Sequence, residues 1–128
     1  MFDHLGIPVS DLARSRTFYL DALVSLGYNI ELEVSAEQTG DHAAIGFGAN
    51  GKPSFWIGEG LPSSSIHVAF VASSRAEVDA FHRAALAAGG RDNGAPGLRP
   101  HYHPDYYGAF VLDPDGYNIE AVCRAPEA

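Results

Sequence analysis

Hydrophobic positions along the chain follow the same order twice: an extended apolar stretch and then residues at helical spacing. The extended stretches cover residues 2–9 and 66–72. After each of them, apolar side chains recur every three or four positions, which is the period of an amphipathic helix. In the first half these side chains are Leu12, Tyr19, Ala22, Leu23 and Leu26, and in the second half they are Val78, Phe81, Ala85 and Ala88. The pattern therefore predicts a strand followed by a helix, twice.

Both predicted helices carry boundary signals. Ser10 is a suitable N-cap for the first helix, and Ser74 with Glu77 has the form of a capping box at the start of the second. Gly27 would end the first helix and the glycine pair at 89–90 the second, because glycine readily adopts the left-handed backbone of a helix end.

Further strands are predicted after the first helix. Residues 28–34 alternate between apolar and polar side chains, which indicates a half-buried strand. Residues 44–48 and 54–58 flank Asn50-Gly51, a strong signal for a tight hairpin.

The second helix is followed by a similar arrangement. Residues 107–112 and 117–123 flank the sequence DPDG at 113–116, which fits a type I turn. Residues 91–105 are rich in proline and glycine, and we predict an irregular loop there that borders the functional site.

An internal repeat unites the two halves. At a fixed offset of 63 positions the residue types match in a series, namely His4 with His67, Phe18 with Phe81, Ala22 with Ala85, Leu23 with Leu86 and Gly27 with Gly90. Such a series indicates a duplicated half-domain. We therefore predict an α+β fold of two tandem βαβββ modules within one domain of residues 1–128. The modules would cover residues 1–60 and 65–125, joined by a Gly/Pro/Ser-rich connector at 59–65.

Charge and composition exclude several classes of partner. The formal net charge of −8 argues against a nucleic-acid partner, because phosphate contacts need clustered lysines and arginines. The apolar runs are too short to span a membrane, and the first residues lack the pattern of a signal peptide, so we expect a cytoplasmic protein. Cys123 is the sole cysteine; it cannot form a disulfide within the chain and is expected to be buried.

Three residues are candidates for metal ligation. His4 and His67 occupy equivalent positions on equivalent predicted strands, and Glu120 lies within the last strand between apolar neighbours. Burying an unpaired carboxylate is costly, and a cation would compensate for it. Two imidazoles and a carboxylate suit a divalent first-row metal. The alternative is that the histidines only form hydrogen bonds or face solvent, and that Glu120 pairs with an arginine such as Arg124 or faces water.

Other residues are candidates for catalysis or substrate binding. In the segment around 101–107, His103 and Tyr107 could transfer or donate a proton, and His101 could contact a substrate. Arg99 could bind an anionic group, and Trp56 could form an apolar wall of the pocket. The alternative is a loop whose aromatic residues cover a sheet edge, with an exposed arginine.

Three segments resemble the vicinal oxygen chelate superfamily, which contains glyoxalase I, ring-cleaving dioxygenases and bleomycin-resistance proteins. They are HLGIPVSD at 4–11 followed by SRTFY at 15–19, IHVAF at 66–70, and FVLDPDGYNIE at 110–120. The resemblance implies paired modules that form a half-open, cup-shaped mixed sheet with a metal at its base. It also implies ligand roles for His4, His67 and Glu120.

The sequence departs from glyoxalase I at one position. In glyoxalase I a fourth protein ligand lies on the last strand of the first module, where this chain has Trp56, which cannot bind a metal. Three ligands are more similar to the site of extradiol dioxygenases, although those enzymes are usually longer chains.

The resemblance implies a metal-dependent enzyme that acts on a small substrate with adjacent oxygens. A glyoxalase-like lyase or isomerase is the first expectation, and a ring-cleaving extradiol-type dioxygenase is the second. The third is a non-catalytic antibiotic-binding protein of the bleomycin-resistance kind. The metal could be zinc, nickel, manganese or iron. A homodimer is also expected, because a small domain with edge strands gains from association; the two modules could pair within one chain or across the dimer.

Overall fold

The computed structural model describes residues 2–63 and 65–127, and within them the chain forms the predicted βαβββ unit twice. Ser64 of the predicted connector lies outside the described residues, as do the terminal positions Met1 and Ala128 of the predicted domain. The first module consists of β1 (Leu5–Val9), α1 (Leu12–Val24), β2 (Asn29–Val34), a short α2 (Ala36–Thr39), β3 (Ala44–Ala49) and β4 (Lys52–Glu59). The second consists of β5 (His67–Val71), α3 (Arg75–Ala87), β6 (Arg91–Leu98), β7 (Tyr107–Leu112) and β8 (Asn118–Cys123).

Each module contains one mixed four-stranded sheet. The strand orders are β1-β4-β3-β2 and β5-β8-β7-β6, and in each sheet the first strand runs parallel to the last strand of its module. The other pairings are antiparallel. β1 and β5 are therefore edge strands. Within the described residues no strand of one sheet pairs with a strand of the other.

The helices cover one face of each sheet. The buried apolar residues form one cluster that includes both modules, with members such as Val9, Phe18, Ile57, Phe81 and Ile119. Because side chains alternate along a strand, the neighbouring positions face outward. The outer faces carry Trp56 on the first sheet and His67 and Glu120 on the second. Cys123 is buried, as predicted.

Contacts between the modules converge on the turn after β7. Tyr19 of α1 donates a hydrogen bond to the buried carboxylate of Asp113. Asp115 accepts hydrogen bonds from the backbone N–H and the hydroxyl of Ser10. The hydroxyl of Tyr117 donates to the carbonyl of Pro8. The turn thus fixes the second module against the first.

Two local predictions were wrong. Asp11, not Ser10, caps α1 by accepting a hydrogen bond from the Arg14 N–H at 3.1 Å, because Ser10 is held by Asp115 instead. Residues 91–98 form β6 and not a loop. Its pairing with β7 shifts register on either side of Gly94, whose φ is 154°, so bulges accommodate the glycines and proline.

Other local features match the prediction or add to it. The Asn50-Gly51 hairpin is confirmed, with φ of 55° and 77° at the two residues, as a type I′ turn requires. Ser74 caps α3 by accepting a hydrogen bond from the Glu77 N–H. α2 was not predicted, although Ser35 and Gln38 form a capping box at its start. No helix of the described residues is long and apolar enough to cross a membrane.

Candidate functional site

The outer face of the second sheet brings His67 and Glu120 together. His67 begins β5 and Glu120 lies in the middle of the adjacent parallel strand β8. The Nε2 atom of His67 is 3.3 Å from Oε1 of Glu120. Glu120 is only 2% exposed, whereas the His67 side chain remains 47% exposed. A nearly buried carboxylate thus meets an imidazole that can be reached from solvent.

The other nitrogen of His67 fixes the orientation of the ring. Nδ1 lies 2.9 Å from the carbonyl oxygen of Asn118, which can only accept, so Nδ1 carries the hydrogen. In the neutral ring the lone pair of Nε2 then faces the carboxylate of Glu120. Two electron-pair donors at this distance repel each other unless a proton or a metal ion lies between them. The pair can therefore share a proton as an ion pair, or it can bind a metal ion as two ligands.

Tyr106 binds the second oxygen of the Glu120 carboxylate. Its hydroxyl donates a hydrogen bond to Oε2, which leaves Oε1 directed at His67. Burial, with the neighbouring carboxylate, raises the pKa of Tyr106 to about 12, so the hydroxyl remains a donor at neutral pH. Gly108 makes room for this contact, since a Cβ there would lie 3.1 Å from the Tyr106 ring and 3.2 Å from Oε2.

Tyr106, and not the predicted Tyr107, contacts Glu120. Side chains alternate along β7, so Tyr106, just before the strand, shares a face with Gly108 and Phe110. Phe110 pairs in register with Glu120 of β8, so Glu120 lies on this same face. Tyr107 lies on the helix-facing side, where its hydroxyl donates to Asp79 at 2.7 Å. The same alternation rule, applied to β7, would have identified Tyr106.

An open cavity of about 320 Å³ surrounds this pair. Its lining consists of His67, Tyr102, Tyr106, Phe110, Asn118, Glu120 and Arg124. Phe110 stacks on the His67 ring with their centroids 6.4 Å apart, and the Arg124 guanidinium lies 4.9 Å from the centre of the Tyr106 ring. The volume suits a small molecule.

The structure does not bring His4 to this pair within one chain. His4 precedes β1 on the other sheet, is 60% exposed, and contacts Asp3 at 2.7 Å. Among the residues that the structure describes, no three histidine, cysteine, aspartate or glutamate side chains form a cluster able to hold a metal.

Trp56 occupies the outer face of the first sheet. It pairs in register with Gly6 and Gly46, and its indole ring covers Gly46, where a Cβ would come within 2.9 Å of the ring. The strand alternation places His4 and Gly6 on this same face. The face is therefore an aromatic surface beside a histidine.

The remaining predicted site residues, His101, His103 and Arg99, are not among the described residues that line this cavity. His103 accepts a hydrogen bond from the Asp105 N–H, and His101 packs on Tyr102 with ring centroids 4.1 Å apart. The Arg99 guanidinium donates to the carbonyls of three residues, Ala95, Gly97 and Gly108. These donors hold β6 to β7.

Comparison with known proteins agrees with the fold of the chain. The chain is 30% identical to a glyoxalase/bleomycin resistance protein from Albidiferax ferrireducens over 98% of its own length and 99% of that chain, with a TM-score of 0.77. Glyoxalase I from Zea mays matches 94% of this chain with 45% of its own, at 21% identity and a TM-score of 0.70.

A glyoxalase/bleomycin resistance protein/dioxygenase family enzyme from Burkholderia phytofirmans matches at 19% identity and a TM-score of 0.69, covering 96% of this chain and 98% of its own. A search of curated proteins gave no significant match. Residues 1–121 match the family described as the Glyoxalase/Bleomycin resistance protein/Dioxygenase superfamily. The chain belongs to that superfamily.

Proposed function

We propose that the protein is a metal-dependent, glyoxalase-like lyase or isomerase that acts on a small substrate with adjacent oxygens. The observation that carries this proposal is the approach of His67 Nε2 to Glu120 Oε1 at 3.3 Å, with Nδ1 already bound to Asn118. A divalent zinc, nickel, manganese or iron ion held there would act as a Lewis acid on two neighbouring substrate oxygens.

The protein side chains prepare this site for a ligand. Asn118 and Phe110 hold the His67 ring in one orientation. Tyr106 occupies one oxygen of Glu120 and directs the other towards the cavity. The residues predicted for catalysis, His103 and Tyr107, would need to move to reach a substrate here. Tyr106, which was not among them, already lines the cavity and contacts Glu120.

A second copy of the chain would supply the third ligand. The edge strands β1 and β5 have unpaired backbone groups, and exposed apolar side chains cluster beside them, namely Phe2, Leu5 and Val71. Phe2, Leu5 and Val71 also border an apolar cavity of about 350 Å³ between the modules. Association through these edges would place His4 of one copy near His67 of the other, in a homodimer.

Metal binding is the primary test. Zinc, nickel, manganese and iron(II) are titrated by calorimetry into protein freed of metal, and we expect about one ion per chain. Both His67→Ala and Glu120→Gln should remove most of the binding. His82 lies on α3 and pairs with Asp92 of β6. His82→Ala is therefore the matched control and should bind metal as the wild type does. Stoichiometric binding that survives both site substitutions contradicts the proposal.

Mixing two inactive variants tests the shared site. His4→Ala and His67→Ala are refolded together at equal concentration. A site shared across the dimer regains one intact centre in each mixed dimer, about a quarter of the wild-type number if chains mix at random. Sites formed within one chain would regain none.

A binding protein without catalysis is the second candidate. Trp56 lies at the position where glyoxalase I has its fourth metal ligand, and its ring adds an aromatic surface. Turnover distinguishes the two. Metal-loaded protein is assayed with a hydroxyketone, a catechol and a hemithioacetal. Conversion of the hydroxyketone or hemithioacetal supports the lyase or isomerase, oxygen consumption with the catechol supports ring cleavage, and binding without conversion of any probe supports sequestration.

A further inference from the structure

Arg124 lies on the same face as the carboxylate of the site. It follows β8 directly, two positions beyond Val122 and four beyond Glu120, and it lines the same cavity. Its guanidinium stacks on Tyr106 at 4.9 Å, and Tyr106 in turn donates to Glu120. Stacking fixes the plane of the guanidinium without using its N–H donors.

The donors of Arg124 are available. Within the described residues its side chain forms no hydrogen bond and no ion pair, and it is the only arginine or lysine that lines this cavity. Three of the other arginines are engaged: Arg99 donates to three carbonyls, Arg16 pairs with Glu33, and Arg75 pairs with Glu127. Arg124 therefore offers its donors to whatever enters the cavity.

A guanidinium fork matches the two oxygens of a carboxylate or a phosphate, and such charge-assisted contacts are strong. The chain carries a net charge of −8, so its general field repels anions and a local cation decides whether an anion is admitted. We propose that Arg124 binds an anionic group of the molecule that occupies the His67–Glu120 cavity.

This inference rests on the proposed function and narrows its substrate class. One phenol ring separates the guanidinium from Glu120, so both ends of one small molecule fit into the cavity of about 320 Å³. The adjacent oxygens lie at His67 and Glu120, and the anionic group lies on Arg124. The substrate is a small carboxylate or phosphate ester that carries a vicinal pair of oxygens.

Three hydroxyketones test this class, because they share a hydroxymethyl ketone and differ only at the third carbon. Hydroxypyruvate carries a carboxylate, dihydroxyacetone phosphate carries a phosphate, and dihydroxyacetone is neutral. Their affinities for wild-type protein, Arg124→Gln and Arg124→Lys are measured by calorimetry, once with zinc bound and once after EDTA treatment. Arg83→Gln, an exposed α3 arginine with no ion pair among the described residues, makes the same change in net charge and is the control.

Arg124→Gln should weaken at least one charged probe tenfold or more and leave dihydroxyacetone unchanged. Arg124→Lys should retain part of the affinity, and Arg83→Gln all of it. The probe that loses more affinity identifies carboxylate or phosphate as the preferred group. The inference is overturned if each charged probe binds Arg124→Gln as tightly as it binds the wild type. It is also overturned if the wild type binds the neutral dihydroxyacetone as tightly as it binds both charged probes.

Failure of the proposed function is visible separately. Zinc affinity is measured without probes for wild type and Arg124→Gln. If neither protein binds zinc, nickel, manganese or iron(II), the metal site is wrong, and the EDTA-treated series then decides the role of Arg124 by the same two criteria.

Discussion

Trp56 and Glu120 occupy the same position in the two sheets. Trp56 pairs with Gly6 and Glu120 pairs with Ala69, and Gly6 and Ala69 are separated by the 63 positions of the internal repeat. The duplicated strand position thus carries a carboxylate in one module and an indole in the other. An indole cannot bind a metal ion, so at this position only the second module offers a metal-binding group.

Replacing Trp56 by glutamate tests whether the two faces meet at one metal. If a second copy places its Trp56 beside His67 and Glu120, Trp56→Glu adds a carboxylate ligand and should tighten zinc binding about tenfold or more. The new ligand would compete with substrate oxygens, so hydroxyketone or catechol affinity should fall. Calorimetry measures both. Unchanged values for both would show that Trp56 does not face the metal.

Tyr106→Phe should weaken metal binding by about 10- to 100-fold, the usual effect of removing a group that orients a metal ligand. Oε2 of the nearly buried Glu120 loses its donor, and the carboxylate is free to rotate. Tyr107→Phe is a matched control because its hydroxyl contacts Asp79 on the opposite side of β7. Equal loss of zinc affinity in both variants would contradict the assigned role.

Asp113 should make stability depend on mildly acidic pH. Burial raises the pKa of its carboxyl above the usual 3.8, although the Tyr19 hydrogen bond opposes this effect. Below pH 3.8 both folded and unfolded chains are protonated at this group. As pH rises, the unfolded chain ionises first, so this contribution to the free energy of unfolding declines until the folded group ionises too.

Urea unfolding from pH 3 to about pH 6 checks that dependence. The stability of wild type relative to Asp113→Asn should fall as pH rises through this range. Asp21→Asn, at an exposed position on α1, is the control and should show no such trend. A relative stability of wild type that rises with pH would show that the hydrogen bonds outweigh burial at Asp113.

Arg99→Gln should lower the free energy of unfolding by about 1–3 kcal/mol, because carbonyls of β6 and β7 lose a charged donor. The same variant should leave the affinity for charged hydroxyketones unchanged, in contrast to Arg124→Gln. Urea unfolding and calorimetry on the two variants separate a structural arginine from a ligand-binding one. Loss of affinity without loss of stability would assign Arg99 to the ligand instead.

The repeat predicted most of the fold because strand and helix periods are local properties of the sequence. The Asn50-Gly51 hairpin and the Ser74 cap followed from residue types that few other conformations favour. β6 was mistaken for a loop, since its glycines and proline are also typical of loops, and only pairing with β7 reveals a bulged strand.

The site was less predictable because it depends on packing between elements. The sequence identifies His67 and Glu120 as candidates without predicting that their strands pair, and the structure brings the two side chains to 3.3 Å. The separation of His4 follows from how the two sheets pack, which no local pattern contains. Arg124 was noted only as a pairing partner for Glu120; its position on the ring of Tyr106 could not be read without the fold.

The turn after β7, at residues 113–117, holds the two modules together without help from the chain that connects them. Tyr19, Ser10 and Pro8 of the first module all bind this turn, and the apolar core continues from one module into the other. The covalent link between β4 and β5 is then not what holds the halves in place. A chain severed between residues 60 and 63 should therefore reassemble from two separately expressed fragments.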